Sequence, residues 1–282
     1  MAFSILYNIS SLTAQNQMNM TSAALQRTLT RLSSGSRINT GADDAAGLAI
    51  ADGLDANITG LMQSARNASD GLGALQVADG SLAQVTTLLN RAVTLAAESA
   101  TGTVSDSQRT ALDSEFTSIK NEITRIGTNT TYNGTAVFNG TTSTVVLTDA
   151  TATGTNTIDI SVGTLSAASI GFSTGVTAVD LTADDLSTAT GAKAALTDID
   201  TAIANVAADR GSLGGVSNRL VSASNVINNQ VQNLTQAEST IRSADIATEV
   251  ANMSKYSILQ QTGIASLQQS KQAQESVLQL LK

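Results

Sequence analysis

The chain has 282 residues, a formal net charge of −8 and no His, Cys or Pro. Missing His and Cys remove the commonest general base, the usual zinc ligands and every disulfide, and an acidic balance without a basic run argues against nucleic acid. Aromatics make up 2% of residues and Trp is absent, too few large rings for a round core of this size, whereas Ala with spaced Leu, Ile and Val suits long, thin helix packing.

The first amphipathic helix covers residues 5–32. Ile5, Ile9 and Leu12 sit at i, i+4, i+7, and Leu25, Leu29 and Leu32 repeat that spacing. Ser33-Ser34-Gly35 should end it, because Gly supplies the left-handed cap and Ser competes for backbone bonds. Residues 39–53 read as a small-residue connector with an N-cap at Asp43 or Asp44. A longer helix then starts near residue 45 or 55. Its best register is Leu75, Ala78, Leu82, Val85, Leu89, Ala92 and Ala96, alternating steps of three and four as in a heptad seam. Thr101-Gly102-Thr103 breaks it. A third helix with Leu112, Phe116, Ile119, Ile123 and Ile126 on one face should return antiparallel to the second.

From Gly127 the period changes. Thr144–Thr148 and Thr157–Val162 are strand-like, with Ala152–Asn156 as the turn of a β-hairpin. Residues 163–185 read as loop with at most one short strand. Helix resumes near Thr188, with one stripe of Ala192, Leu196, Ile199, Ile203 and Val206. Val216, Leu220, Ala223, Ile227, Leu234 and Ile241 form another. The last run holds Ile246, Val250, Met253, Ile264, Leu267, Leu278 and Leu281 in one register, interrupted by Ser257, Gln260, Lys271 and Gln274.

The predicted fold is mainly α: a long antiparallel helical bundle or coiled coil built from both sequence halves, with a small β-hairpin region in the middle. Residues 1–42 and 243–282 form a terminal-helix domain. Residues 43–140 and 188–242 form a helical core domain, and 141–187 a variable region. The start lacks a charged n-region and a long apolar block, so no signal peptide is expected. No run of about 18 apolar residues is present, so no membrane span is expected.

Both ends carry apolar stripes that a single copy cannot bury, which predicts association of the chain with itself. Other features read as structural. Asp43-Asp44 is a helix cap and Asp184-Asp185 a solvated loop. Lys193, Lys255 and Tyr256 are isolated exposed side chains. Gly211-Ser212-Leu213-Gly214-Gly215 lacks the Lys-Ser/Thr of a phosphate loop and predicts a close helix approach or a local bend. No catalytic, cofactor or metal residue is predicted.

Longer blocks resemble bacterial flagellin. Leu32-Ser33-Ser34-Gly35-Ser36-Arg37-Ile38-Asn39, then Ala42-Asp43-Asp44-Ala45-Ala46-Gly47-Leu48-Ala49-Ile50, resembles the family's N-terminal signature. Arg66-Asn67-Ala68-Ser69-Asp70-Gly71 resembles its next block. Arg210-Gly211-Ser212-Leu213-Gly214 with Asn218-Arg219-Leu220 resembles its returning helix. Glu238-Ser239-Thr240-Ile241-Arg242-Ser243-Ala244-Asp245 and Ile258-Leu259-Gln260-Gln261-Thr262-Gly263 resemble its C-terminal signature. The resemblance covers about residues 1–140 and 188–282. Where the family tail commonly reads Asn-Gln-x-Pro-Gln, this chain has Lys271-Gln272-Ala273-Gln274-Glu275, so the last helix should run straight to Leu281. The short centre implies that large outer domains are missing.

The resemblance implies a subunit of the helical flagellar filament, secreted unfolded through the flagellum's own channel and added at the distal tip. Implied partners are other copies of the chain, the flagellar export apparatus, an export chaperone, the filament cap and the hook-junction proteins. A hook–filament junction protein is the alternative. Assembly is expected to use Ile5, Ile9, Leu25, Leu29, Leu32, Arg37 and Ile38 on one side, and Ile246, Val250, Met253, Ile264, Leu267, Leu278 and Leu281 on the other. Arg91, Leu95 and Glu115 match a region that an innate immune receptor of animals grips in some flagellins. The alternative for these three is a core-flanking Leu95 and a solvated charged face.

Overall fold

The computed structural model describes residues 9–147, 156–173 and 176–280. Ile5, Leu281 and most of the expected turn 152–156 therefore lie outside the described residues, as does the side chain of Leu278. In chain order the elements are α1 (Ile9–Ser34), α2 (Ala45–Ser99), α3 (Asp106–Asn129), β1 (Thr131–Tyr132), β2 (Thr135–Ala136), β3 (Thr142–Val146), β4 (Thr157–Ser161), α4 (Ala189–Arg242) and α5 (Ile246–Leu280). No helix among the described residues is long and apolar enough to cross a membrane. The chain divides into two compact units, Met1–Ala56 with Asn233–Lys282, and Asn57–Gln232.

In the Asn57–Gln232 unit, the heptad seam of α2 is the core. Leu75, Ala78, Leu82, Val85, Leu89, Ala92 and Ala96 are all 3% exposed or less. Phe116, Ile119 and Ile123 of α3 and Ala192, Ile199 and Val206 of α4 are buried against the same cluster. Within α4 the buried stripe is rotated from the expected one: Ala195 and Ala202 are fully buried, while Leu196 and Ile203 are half-buried. Alanines at the seam fit between the leucines of α2, and the larger side chains close the flanks.

The helices are antiparallel. Arg91 meets Glu115 and Ser81 meets Thr130, so positions rise on α2 as they fall on α3. Asp79 with Arg210 and Gly71 with Leu220 give the same sense for α4. The turn between α2 and α3 is built by the Ser105 N-cap and its capping box with Gln108. It is held by Arg109, whose Nη2 donates to the carbonyls of Thr101 and Val104 at 3.0 Å each.

The expected connector at 39–53 is shorter than its composition suggests, because α2 already begins at Ala45. Gly47 and Gly53 lie inside the helix. The expected hairpin is present as β3 paired antiparallel with β4. A smaller hairpin, β1 with β2, was not expected. Its turn is Asn133-Gly134, both at positive φ, the sequence pair that selects a tight hairpin turn.

Residues 162–173 and 176–188 are loop that contributes to the core, while Thr182, Ala183 and Asp185 are exposed and Asp184 is half-buried. Leu165, Ile170, Leu181 and Leu186 are buried. Two polar side chains of α4 hold this segment. Asn205 Nδ2 donates to the carbonyls of Ile170 and Thr177, and the buried Asp209 carboxylate accepts the N–H groups of Phe172 and Ser173. The glycines of 211–215 make no close approach. An added Cβ meets nothing at Gly211, Gly214 or Gly215, and α4 runs through them unbroken.

Gly127, in the last turn of α3, has no room at all: an added Cβ would land on the carbonyl oxygen of Leu165. Gly80 on α2 is exposed with nothing near it. Gly127→Ala should therefore destabilise the chain by about 1–3 kcal/mol through overpacking, whereas Gly80→Ala should stabilise it by about 0.5–1 kcal/mol. Denaturant melts of the two variants check the opposite signs.

Candidate assembly surface

Within the Met1–Ala56 and Asn233–Lys282 unit, α1 and α5 pack antiparallel. Arg31 meets Glu249, Ser22 meets Gln260, and Met18 lies beside Gly263. Along α1 one stripe of covered positions runs through Ala14, Met18, Thr21, Leu25, Thr28 and Leu32, with Ser11, Ser22, Ala24 and Arg31 also partly covered. Along α5 the matching stripe runs through Glu249, Met253, Tyr256, Gln260, Gly263, Leu267 and Ser270, with Asn252 and Ser257 also partly covered. Both stripes alternate steps of three and four, so each is a heptad seam. The most deeply buried members are polar: Thr21 is 6% exposed, Thr28 5% and Glu249 7%.

Many large apolar side chains fall off this seam. Ile9, Leu12, Met20 and Leu29 on α1 are exposed, as are Ile246, Val250, Ile258, Leu259 and Ile264 on α5. Ile9 reaches 71% and Ile258 64%. The predicted assembly residues thus divide into two classes. Leu25, Leu32, Met253 and Leu267 are half-buried in the seam, while Ile9, Leu29, Ile246, Val250 and Ile264 face outward. Gln260, read from sequence as an interruption, is a seam residue. The sequence register shared Met253, Gln260 and Leu267 with the observed one but followed the largest side chains elsewhere. At the other seam positions of α5 the chain puts Glu249, Tyr256, Gly263 and Ser270.

The connector between α1 and α2 is fastened to the junction of α4 and α5. Gly35, at φ +69°, ends α1. Ser36 then bridges Ser243: the Arg37 N–H donates to the Arg242 carbonyl at 2.6 Å, and the Ala244 N–H to the Gly35 carbonyl at 3.0 Å. The Arg37 guanidinium donates through Nη2 to the Ile241 carbonyl at 3.0 Å, at the negative end of α4. Its neighbour Ile38 is 1% exposed, inserted where a Cβ on Gly47 would collide. Both residues therefore have structural partners inside their own chain.

Carboxylates organise the same corner. Asp44 Oδ1 accepts the Gly47 N–H and caps α2. Asp245 accepts the N–H groups of Ala247 and Thr248 and caps α5. The Thr40 hydroxyl, with the Asn39 and Thr40 N–H groups, holds the Asp43 carboxyl below its ordinary value. The Thr248 hydroxyl does the same for Asp245. Arg31 joins the pieces, 3.6 Å from Asp43 and 3.4 Å from Glu249.

Arg91 and Glu115, in the other unit, form an exposed ion pair with Nε 2.8 Å from Oε1. The hydrogen bond raises the Arg91 value and lowers that of Glu115. Leu95 is 1% exposed and points into the core cluster, so the three do not share one surface. A shallow recess of about 240 Å³ near the β1–β2 turn is lined by residues such as Tyr132, Asn139, Thr141 and Ile160, none of them charged. Among the described residues no cluster of three or more acidic side chains could hold a metal ion.

Residues 5–143 match the bacterial flagellin N-terminal helical region, and residues 196–281 match the bacterial flagellin C-terminal helical region. A flagellin of Halalkalibacterium halodurans is 35% identical over 285 residues, covering 99% of each chain. A flagellar filament 33 kDa core protein of Treponema phagedenis is 33% identical over 296 residues, again covering 99% of each. In fold, a putative flagellar hook-associated protein from Vibrio parahaemolyticus superposes with a TM-score of 0.59, at 16% identity, over 71% of this chain and 100% of that one. The full-length match, the two terminal helical regions and the paired end helices together make this chain a member of the bacterial flagellin family.

Proposed function

We propose that this flagellin, a structural subunit of the bacterial flagellar filament, polymerises through the apolar faces that α1 and α5 turn away from each other. The observation that carries this is the mismatch on the terminal pair: Thr21, Thr28, Glu249, Gln260 and Gly263 take seam positions while Ile9, Leu12, Met20, Leu29, Ile258 and Ile264 stand exposed outside it. Burying one such side chain contributes about 1.5–3 kcal/mol, and association costs roughly 4–15 kcal/mol. Several outward anchors per subunit therefore suffice to hold a copy in place. A head-to-tail contact repeated without closure gives an open helical polymer.

In this reading residues 1–42 and 243–282 are the polymerising domain, 43–140 and 188–242 the supporting helical core, and 141–187 the variable region. Relatives named for the flagellin and the filament core favour the filament over the hook junction. The chain has no catalytic role. Its recess lacks charged groups, and the sequence has neither His nor Cys. Export as an unfolded chain is compatible with the absence of disulfides and of slow prolyl isomers. The export apparatus, its chaperone, the filament cap and the junction proteins are the partners on that route, and the destination is extracellular.

Deleting residues 243–282 should abolish filaments and leave a soluble helical core by circular dichroism and electron microscopy. The paired substitutions Leu29→Asp and Ile264→Asp should do the same in the full chain, since both sites are exposed. Filaments of normal length from either variant would overturn the proposal.

The exposed Arg91–Glu115 pair is proposed as the contact for an animal innate immune receptor, with Leu95 serving only to pack the helix beneath it. Arg91→Ala should lower receptor signalling by monomeric chain without changing its melting temperature. Unchanged signalling would sink this contact.

A further inference from the structure

Residues 180–187, within the Asn57–Gln232 unit, form a strap tied down by two helices. Ser99 Oγ of α2 donates to the Leu186 carbonyl at 2.6 Å. The Leu186 N–H donates to Asp113 Oδ1 of α3 at 2.9 Å, and Lys120 Nζ of α3 donates to the Asp184 carbonyl at 2.7 Å. Leu181 and Leu186 anchor the strap at 0% exposure.

Between the anchors lies the Asp184 side chain, whose Oδ2 is shut off from water and has no hydrogen-bond donor. Three charged groups face it: Asp198 from α4, Lys120 from α3 and Asp180 from the strap itself. Lys120 is the cation, but its ammonium is directed to the backbone carbonyl and lies 4.7 Å from the centre of the Phe116 ring. Asp180 is held ionised by the hydroxyl and N–H of Thr182. The buried Asp184 oxygen therefore has the Asp198 carboxylate acting on it from α4 and no donor of its own, an arrangement that one added proton would satisfy.

We propose that Asp184 and Asp198 share one proton in mildly acidic medium, and that this proton is a latch drawing the 180–187 strap onto α4. The proton comes from water, is held on Asp184 and donated to the Asp198 carboxylate, and returns to water on release. No other group changes.

Burial first, then the Asp198 charge and its hydrogen bond, push the Asp184 carboxyl up to about 6 from its ordinary 3.8. A raised acid contributes stability that is complete below 3.8, where attached and detached straps both hold the proton. Between 3.8 and about 6 detachment releases a proton, so attachment weakens as pH rises. Above that window the latch is gone, and the leucine anchors and backbone bonds hold the strap alone.

Hydrogen exchange of the peptide covering 181–187, in full-length chain and in the isosteric Asp184→Asn variant at matched pH, tests this. Matching the pH cancels the intrinsic exchange rate and the other carboxylates. The ratio of opening constants, native over variant, should rise between pH 4 and 6 by no more than tenfold per unit, less where solvent screens the pair, and then level off. Asp198→Asn removes the like charge and should move the upper edge of this rise to lower pH. A ratio that stays flat from pH 4 to 7.5, or an edge that Asp198→Asn leaves in place, would overturn the latch.

Discussion

The contact between α1 and α5 governs what this molecule can do alone. Thr21, Thr28, Gln260 and Gly263 occupy seam positions where a self-sufficient helix pair would place leucines, and polar seam residues cost coiled-coil stability while fixing register. Helical stability in proteins comes mainly from tertiary packing of an apolar face. Here that packing is only half supplied within the chain. The Arg31, Asp43 and Glu249 cluster and the Ser36–Ser243 bridge give the pair its register. They do not hide Ile9, Leu12, Ile258 or Ile264. A pair aligned by polar contacts but left greasy outside is arranged to be completed by other copies.

The Asn57–Gln232 unit follows the opposite rule. Leu82, Val85 and Leu89 of α2 face Phe116, Ile123, Ile199 and Val206 with no exposure. Its seam is closed by apolar contacts and by alanines small enough to admit them. Removing methylenes there leaves cavities the packed helices cannot collapse to fill. The same architecture of long antiparallel helices thus yields a self-contained core and an unfinished terminal pair. The difference lies in which residue types sit one step around the helix.

That distinction also marks what was legible in the sequence. The α2 register was readable because size and burial coincide from Leu75 to Ala96. Helix ends were readable where chemistry is local: Gly35, the Asp43-Asp44 pair and Thr188, whose Oγ1 accepts the Gly191 N–H. The α5 register was readable only at Met253 and Leu267, because Ile246, Val250 and Ile264 point away from the contact. In α4 the same bias favoured Leu196 and Ile203 over the buried Ala195 and Ala202. The grip of Asn205 and Asp209 on the 170–177 segment joins residues far apart in sequence, and no periodicity reports it. The Asn133-Gly134 turn carried a usable signal that the Thr-rich surroundings obscured.

Among the described residues, the buried charges Arg109, Asp209 and Glu249 each tie a turn, a loop or a connector to a helix. Arg109 satisfies two carbonyls of the α2–α3 turn, Glu249 meets Arg31 beside the connector, and Asp209 binds two N–H groups of the returning loop. A charge taken out of water is tolerated only when donors or counter-charges surround it, so each fixes one backbone path among many. Asp184 is the exception, because its surroundings supply a second carboxylate where the others have donors. A site that lacks only a proton is set apart from the permanent ties by its dependence on the medium. The strap it holds is consequently the part of the Asn57–Gln232 unit whose attachment the solution can alter without breaking a helix.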